Sequence, residues 1–486
     1  MVTQMIFDWA KQAPERTAVI YNGRRLSYRW FAQIIALARG YFARRDYVGS
    51  GYAVLAVRNL MNFWILSLAL RSLGLTTVAV RSVAEVDQLG LPTLRCVITG
   101  SGETWTGLDG ICAKLGVHLL SVPSLVGESP LALEVSEAAT LFGDHVLQTS
   151  GTTGIRKLVL RTPAFDAAFV RDRVEAFGMS QDTVFSVFDF GAWTGPGYMI
   201  PLSAWTVGGA IAIEQGREFY RAFAVGISHA ELTPEMLAAI LAAPSDVFSR
   251  NDAIQLSVTG GAMTRSQVDQ AKARITSRVF NLLASTEAGI IGFTLLETPE
   301  DHRWHRLLPS RQVEIVDESD RPVPAGEIGR LRISIAGRPT SYLNDDEGTR
   351  AFFRDGFFYP GDLAVIRPDG RMALHGRITD VINIQGQKIS PAPIEARLCE
   401  LFGVSGVCLF SAQNDSGDEE IHIVVETPTP IDSNRLSAAL NQALRGSPGA
   451  RIYYMAALPR NEMGKVLRQA IRAQALASQP PLAQTD

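Results

Sequence analysis

The spacing of apolar residues changes character twice along the chain. From residue 1 to about 130, helical spacings alternate with short apolar runs such as YAVLAV (52–57) and RCVITG (95–100), the pattern of parallel βαβ units. The most apolar stretch, FWILSLALRSLGLTTVAV (63–80), is broken by Arg71 and Gly74. It is too short to span a bilayer and predicts a buried helix leading into a strand. A second series follows, with TVFSVFDF, GGAIAIE and AIQLSVTGGA as strands and TPEMLAAILAA (233–243) as a helix between them. From about 310 the period shortens to two. RQVEIVDESDRPVPAGEIGRLRISI, and a hairpin turned by Pro368, Asp369 and Gly370, predict a small β-rich unit. After about Arg377 the helix APIEARLCELF, the strands GVCLFSA and EIHIVVET and the helix SNRLSAALNQALRG predict a compact tail domain. The terminal ASQPPLAQTD predicts disorder.

Composition adds limits. At 486 residues the length favours two to four domains, and 47% hydrophobic with 20% charged residues is a globular balance. The net charge of −3 favours neither a nucleic acid nor an anionic membrane as partner. Cys96, Cys112, Cys399 and Cys408 have no metal-binding spacing and read as buried free thiols of a reducing compartment. The N-terminus lacks a basic start followed by an apolar run, so a cytoplasmic location is expected.

Candidate chemistry begins at LQTSGTTGIRKLVL (147–160), read as strand, loop, strand. Thr149, Ser150, Gly151, Thr152, Thr153 and Gly154 precede Arg156 and Lys157. Glycine lacks the Cβ that bars positive φ, so successive amides can turn toward one centre. Hydroxyls add donors and Lys157 adds charge. Such a loop suits a polyphosphate; an ordinary hairpin turn is the alternative. It is not a Walker loop, since Lys157 stands three residues after Gly154 and Leu158 follows it.

Further segments follow in order. SVTGGAMT (257–264) brings Gly260, Gly261 and Ala262 after a strand, and NLLASTEAG (281–289) brings Leu283, Ala284, Ser285, Thr286 and Glu287. DGFFYPGDLA (355–364) brings Asp362, and GRITDVINIQGQKISPAPIE (376–395) and PRNEMGKVLR (459–468) complete the series. From about residue 8 to 472 this series resembles the adenylate-forming superfamily of acyl-CoA synthetases, peptide-synthetase adenylation domains and luciferases.

The resemblance implies an α/β fold. A large N-terminal domain (1–376) would hold two βαβ-type layered sheets plus a small β-barrel-like unit. A hinge (377–380, with Thr379 and Asp380), a small mobile α+β C-terminal domain (381–475) and a disordered tail (476–486) would follow. It implies an ATP-dependent ligase that converts a carboxylic acid to acyl-AMP and then transfers the acyl group. Residues 149–154 and Lys157 would cradle the phosphates, with Thr153 and Thr286 in the catalytic set. Gly260, Gly261, Ala262 and residues 283–286 would line the nucleotide and acyl site, and Glu287 would hold Mg²⁺, a hard cation suited to carboxylate and phosphate oxygens. Asp362 and Arg377 would bind the ribose. Lys465 would bridge carboxylate and α-phosphate, where a point charge stabilises the charge accumulating at phosphorus. Gly386 would line the channel for coenzyme A. Taken singly, Glu287 also reads as a helix N-terminal carboxylate and Lys465 as a solvated loop lysine.

Several positions depart from the family pattern. Arg156 and Leu158 flank the phosphate-loop lysine, Leu283 replaces the aromatic residue that stacks on adenine, and Ala284 follows it. Pro360, Thr379 and Asn383 are further departures. The acid itself turns on SVFDFGAWTGPGYMIPL (186–202), where two alignments compete. With Asp189, Gly191, Thr194, Gly195 and Tyr198 it resembles short- and medium-chain acyl-CoA synthetases. Ala192 then stands where a tryptophan often closes the pocket, which implies a medium-chain or aromatic acid. With Phe188, Asp189, Gly191 and Trp193 it resembles amino-acid-activating domains, whose aspartate pairs the substrate ammonium. A helix cap is the plain alternative for Asp189. The acceptor is coenzyme A or, in the second reading, a separate carrier protein or an amine.

Overall fold

Apolar runs bounded by Gly, Pro and capping residues become strands covered on both faces. The computed structural model describes residues 2–125, 127–133, 142–149, 157–188, 190–214, 219–334, 337–384, 387–413, 419–443, 450–461 and 464–478. One eight-stranded sheet runs in the order Gly289–Leu295, Val279–Ser285, Gln255–Val258, His229–Leu232, Val184–Ser186, Ala210–Ile213, Thr17–Tyr21, Arg24–Ser27. Its six inner strands are parallel and the two outer ones antiparallel. A six-stranded sheet has the order His118–Ser121, Leu94–Thr99, Tyr52–Ala56, Thr76–Ala79, His145–Gln148, Leu158–Arg161, with only the last strand antiparallel. The alternation of helix and short strand seen in the sequence is thus the βαβ winding of two sheets.

The largest apolar cluster draws on the helices Tyr28–Ala43, Leu60–Arg71, Pro163–Phe177 and Gly195–Thr206, and includes Phe31, Phe42, Trp64 and Trp205. Each helix opens on a polar cap, Ser27, Asn59, Thr162 or Thr194, that accepts from an amide of the first turn. The segment 63–80 forms the expected buried helix and the strand Thr76–Ala79. Arg71, at the end of that helix, is fully buried. Its guanidinium donates to the Gly143 carbonyl (3.0 Å), the Tyr198 hydroxyl (2.6 Å) and Asp166 (3.1 Å). Arg161 donates to the other oxygen of Asp166 (3.1 Å), and Tyr198 donates to Asp166 (2.5 Å).

A third, antiparallel sheet has the order Phe353–Arg354, Phe357–Phe358, Gly329–Ser334, Asp362–Ile366, Met372–Arg377, with Val313–Val316 also paired to Gly329–Ser334. The chain then passes through one short 3-10 turn, Ile378–Asp380. Beyond it lie the hairpin Ile382–Ile384 and Gln387–Ile389, and a sheet ordered Gly406–Gln413, Glu419–Glu426, Ala450–Met455. The helices Pro391–Phe402, Ser433–Ala443 and Arg468–Ala477 accompany it. This α+β unit has its own core around Leu398, Leu409, Ile423 and Leu436. No helix among the described residues is long and apolar enough to cross a membrane.

Three expectations need correction. TVFSVFDF is a strand only over Val184–Ser186, because Phe188 takes φ +45° and turns the chain out of the sheet. The last helix runs to Ala477, two residues into the expected disordered tail, its Ile471 and Ala475 buried against Cys408 and Phe410; residues 479–486 lie outside the described ones. Of the four cysteines, all unpaired, Cys399 is half-buried rather than buried, unlike Cys96, Cys112 and Cys408.

Candidate active site

In open α/β sheets, ligands bind beyond the carboxyl ends of the parallel strands. In the eight-stranded sheet that edge carries the segments following Val184–Ser186, His229–Leu232, Gln255–Val258 and Val279–Ser285. They contain, in turn, Ala192 and Trp193; Pro234 and Glu235; Gly260 to Ala262; and Thr286 and Glu287. Gly260 takes φ +85°, a conformation that favours glycine, and a Cβ on Gly261 would lie 3.3 Å from Pro234 Cγ. Ala262 is exposed. Leu283 is half-buried against the core of the antiparallel sheet, Ala284 is exposed, and Ser285 Oγ accepts from the Ala288 amide (3.0 Å).

Glu287 lies in the turn between the antiparallel strands Val279–Ser285 and Gly289–Leu295, not at a helix N-terminus. It is 7% exposed, and its Oε1 accepts from the Tyr342 hydroxyl (2.8 Å). The Thr286 carbonyl accepts from Arg161 (3.5 Å). The six-stranded sheet brings the phosphate-loop candidate alongside. The Thr149 amide donates to the Lys157 carbonyl (2.9 Å), and Ser150, Gly151, Thr152, Thr153 and Gly154 follow Thr149 in the sequence. Those five residues lie outside the described ones, as do Asp189 and Gly386. Lys157 Nζ sits 3.4 Å from the Phe352 ring centre and 4.7 Å from that of Tyr342. Burial lowers the Lys157 pKa, and the charges of Asp345 and Glu287 oppose that shift.

The antiparallel sheet supplies the third side. Asp362 and Arg377 face each other across adjacent strands, with Nε and Oδ1 3.0 Å apart. Arg377 also donates to the Pro360 carbonyl. Burial pushes the Asp362 carboxyl up, and the nearby charges of Arg377 and Lys465 pull it down. From the C-terminal unit comes Lys465, half-buried rather than in the exposed loop the sequence suggests. Burial, then the Arg377 guanidinium, lowers its pKa, while Asp362 and Glu287 oppose. Its loop is shaped by Gly464 at φ +72°, where a Cβ would lie 3.2 Å from Glu235 Cδ, and by Asn461, whose side chain accepts from the Lys465 amide (3.0 Å). Groups as distant in sequence as Lys157, Glu287, Asp362, Arg377 and Lys465 therefore share one electrostatic environment, three cationic and two anionic.

Segment 190–198 behaves differently. Ala192 is 4% exposed and belongs to the main core cluster, with Trp193 packed against it. A Cβ on Gly191 would collide with the Trp193 ring, and one on Gly197 with the Gly191 carbonyl. Thr194 caps the helix Gly195–Thr206, and Tyr198 sits in the Arg71–Asp166 network. At the hinge positions, Thr379 Oγ1 donates to Asp380 (3.3 Å), and Asp380 lies 3.4 Å from Arg468 Nε. Sequence reasoning missed Tyr342, Glu235 and Arg468. Each works through a partner far away in sequence, and none carries a local pattern.

The arrangement fits a magnesium–polyphosphate ligand. Among the described residues there is no group of three or more His, Cys, Asp or Glu that could hold a metal by itself. A single hard carboxylate, Glu287, next to cations that would meet phosphate suits Mg²⁺, which takes most of its oxygens from phosphate and water.

Residues 145–343 match the AMP-binding enzyme family. A salicylyl-CoA synthase / salicylate adenylyltransferase from Streptomyces sp is 25% identical over 522 aligned positions, covering 96% of this chain and 92% of its own. Among solved structures, ATP-bound MatB from Rhodopseudomonas palustris superposes with TM-score 0.85 at 18% identity, over 98% of this chain and 99% of that one. The O-succinylbenzoate coenzyme A synthetase MenE from Bacillus subtilis, in complex with ATP and magnesium ion, gives 0.81 at 19% identity, over 96% and 99%.

Proposed function

We propose that the chain is an adenylate-forming ligase that activates an aromatic or medium-chain carboxylic acid and transfers the acyl group to coenzyme A. In the first half-reaction a carboxylate oxygen attacks the α-phosphorus of ATP, giving acyl-AMP and pyrophosphate. In the second, the thiol sulfur attacks the acyl carbon, AMP leaves and the thiol proton is lost to solvent.

The observation that carries this reading is the convergence of Lys465 with Asp362, Arg377 and Glu287. Lys465 would hold the incoming carboxylate and the α-phosphate together, its ammonium stabilising charge that develops only in the transition state. Arg377 and Asp362 would take the ribose hydroxyls, and Gly260 and Gly261 would let backbone approach the purine. Lys157, with residues 149–154, would neutralise the β- and γ-phosphates. Glu287 would hold Mg²⁺, whose contribution is to screen the charge of the departing pyrophosphate. Thr379 and Asp380, in the 3-10 turn Ile378–Asp380, would form the pivot between the large unit and the C-terminal unit. A rotation there would withdraw Lys465 after the first half-reaction and bring the 382–389 hairpin, with Gly386, to the acyl-AMP. Ala192 and Trp193 are assigned to the wall of the acyl site.

The salicylyl relative supports an aromatic acid, and the acyl-CoA-like alignment of 189–198 supports a pocket larger than acetate requires. ATP–pyrophosphate exchange over salicylate, benzoate, octanoate, acetate, alanine and phenylalanine tests the acid class, and trapping of the product with coenzyme A tests the acceptor. Exchange with aromatic or medium-chain acids and thioester formation are expected. Exchange with amino acids alone would overturn the acid assignment, and acyl-AMP accumulation with no thioester would overturn the acceptor.

A further inference from the structure

Tyr342 has no part in the scheme above, yet it touches two of its members. It is 5% exposed, and its hydroxyl donates to Glu287 Oε1 at 2.8 Å. Its ring presents a face to Lys157 Nζ at 4.7 Å and packs edge-on against Phe352 (6.0 Å) and Phe353 (5.0 Å). The backbone around it is anchored on both sides. The Tyr342 amide donates to Thr349 Oγ1 (3.0 Å), and the next residue, Leu343, forms an antiparallel bridge with Leu158, its amide donating to the Leu158 carbonyl (2.8 Å). That bridge lies directly beside Lys157. One segment of chain therefore ties the exit of the phosphate loop to the metal-ligand candidate, although Tyr342 lies 185 positions after Lys157.

Resting on the adenylation reading above, we propose that Tyr342 is the positioning residue for magnesium: its hydroxyl fixes the Glu287 carboxylate so that the other oxygen is presented to the metal, beside the Lys157 ammonium. A carboxylate with free χ torsions samples many orientations, and a hydrogen bond to one oxygen selects among them before the ligand arrives. Loss of such an outer-shell partner costs about 10–100-fold in metal affinity or activity. Ring packing alone would fill space equally well with phenylalanine, so the hydroxyl is what separates the two roles.

The test uses the full-length protein and three variants: Tyr342→Phe, Phe353→Leu and Glu287→Gln. The readouts are binding of Mn²⁺ in the presence of ATP, followed by electron paramagnetic resonance, and the Mg²⁺ half-saturation of ATP–pyrophosphate exchange. Thermal melting reports folding. Tyr342→Phe is expected to weaken Mn²⁺ binding and raise Mg²⁺ half-saturation about tenfold, with exchange at saturating Mg²⁺ within about twofold of wild type and melting unchanged. Phe353→Leu alters the same aromatic cluster without touching the hydrogen bond and is expected to leave metal dependence unchanged. Wild-type metal dependence in Tyr342→Phe, or an equal shift in Phe353→Leu, would overturn the proposal. Absence of acid-dependent exchange in the wild type would instead overturn the adenylation reading, and Mn²⁺ binding insensitive to Glu287→Gln would overturn the metal-ligand assignment, so the three failures are distinguishable.

Discussion

The edge of the site formed by Glu287, Asp362, Lys157 and Lys465 contrasts with the segment Gly191–Tyr198, which the sequence marks as strongly. In the segment, the fold accounts for Gly191, Thr194 and Tyr198 among the matched residues. Thr194 caps a helix, Gly191 and Gly197 permit close packing, and Tyr198 completes a buried ion network. At the edge, charges from three separate sheets and the C-terminal unit are held close to one another, with burial working against the charged form of Lys157, Asp362 and Lys465. A fold does not gather desolvated charges of this kind for stability, since buried charge is costly unless well paired. A motif match thus gains functional weight when its charged groups converge from separate elements rather than serving local packing.

The contrast can be broken at its structural end first. Asp166→Ala would leave Arg71 and Arg161 buried without their carboxylate, at a cost of about 3–5 kcal/mol. A large fall in urea midpoint is expected, and an unchanged midpoint would mean that Tyr198 is not held by a structural network. Next, Gly197→Ala would drive a methyl into the Gly191 carbonyl, at a cost of about 1–3 kcal/mol. The urea midpoint should fall, and an unchanged midpoint would mean that Gly197 is not packed against the Gly191 carbonyl.

A pH dependence sharpens the structural side further. His305 is buried, pairs through its backbone with Met372, and is pushed down by burial to about 4. The folded imidazole therefore stays neutral between the ordinary histidine value of 6.5 and about 4, while the unfolded chain takes up a proton. Stability should fall as pH drops through that window, and His305→Gln should flatten the slope of urea midpoint against pH. An identical slope in the variant would remove His305 from the account. The smallest effect belongs to Asp380→Ala, which breaks a partly exposed pair while Arg468 keeps Glu395. Less than about 1 kcal/mol of stability should be lost, and the altered balance should show in the ratio of the two half-reactions.

Much of this was legible in the sequence because it was local. Periodicity gave the βαβ winding, the buried helix Leu60–Arg71 and the turn at Gly370, whose φ of +80° suits glycine. The ordered motifs named Glu287, Asp362, Arg377 and Lys465 before any geometry was known. What stayed hidden depends on contacts between distant segments. Tyr342 carries no periodic or compositional mark, and the burial of Lys465 depends on how the C-terminal unit packs against Glu235. The early end of the Val184–Ser186 strand reflects a positive φ at Phe188, which an aromatic residue does not advertise. Arg71, read as an interruption of an apolar run, proved to be the centre of a buried network.

The central claim is that the convergence around Lys465 performs adenylation, and one comparison tests it most directly. Lys465→Ala should lower acid-dependent ATP–pyrophosphate exchange by roughly two to three decades, the usual worth of a single contact that stabilises transition-state charge. Acyl transfer from preformed acyl-AMP to coenzyme A should survive in the same variant. Retention of more than about a tenth of the exchange rate, against the two to three decades expected, would contradict the account, as would equal loss of both half-reactions.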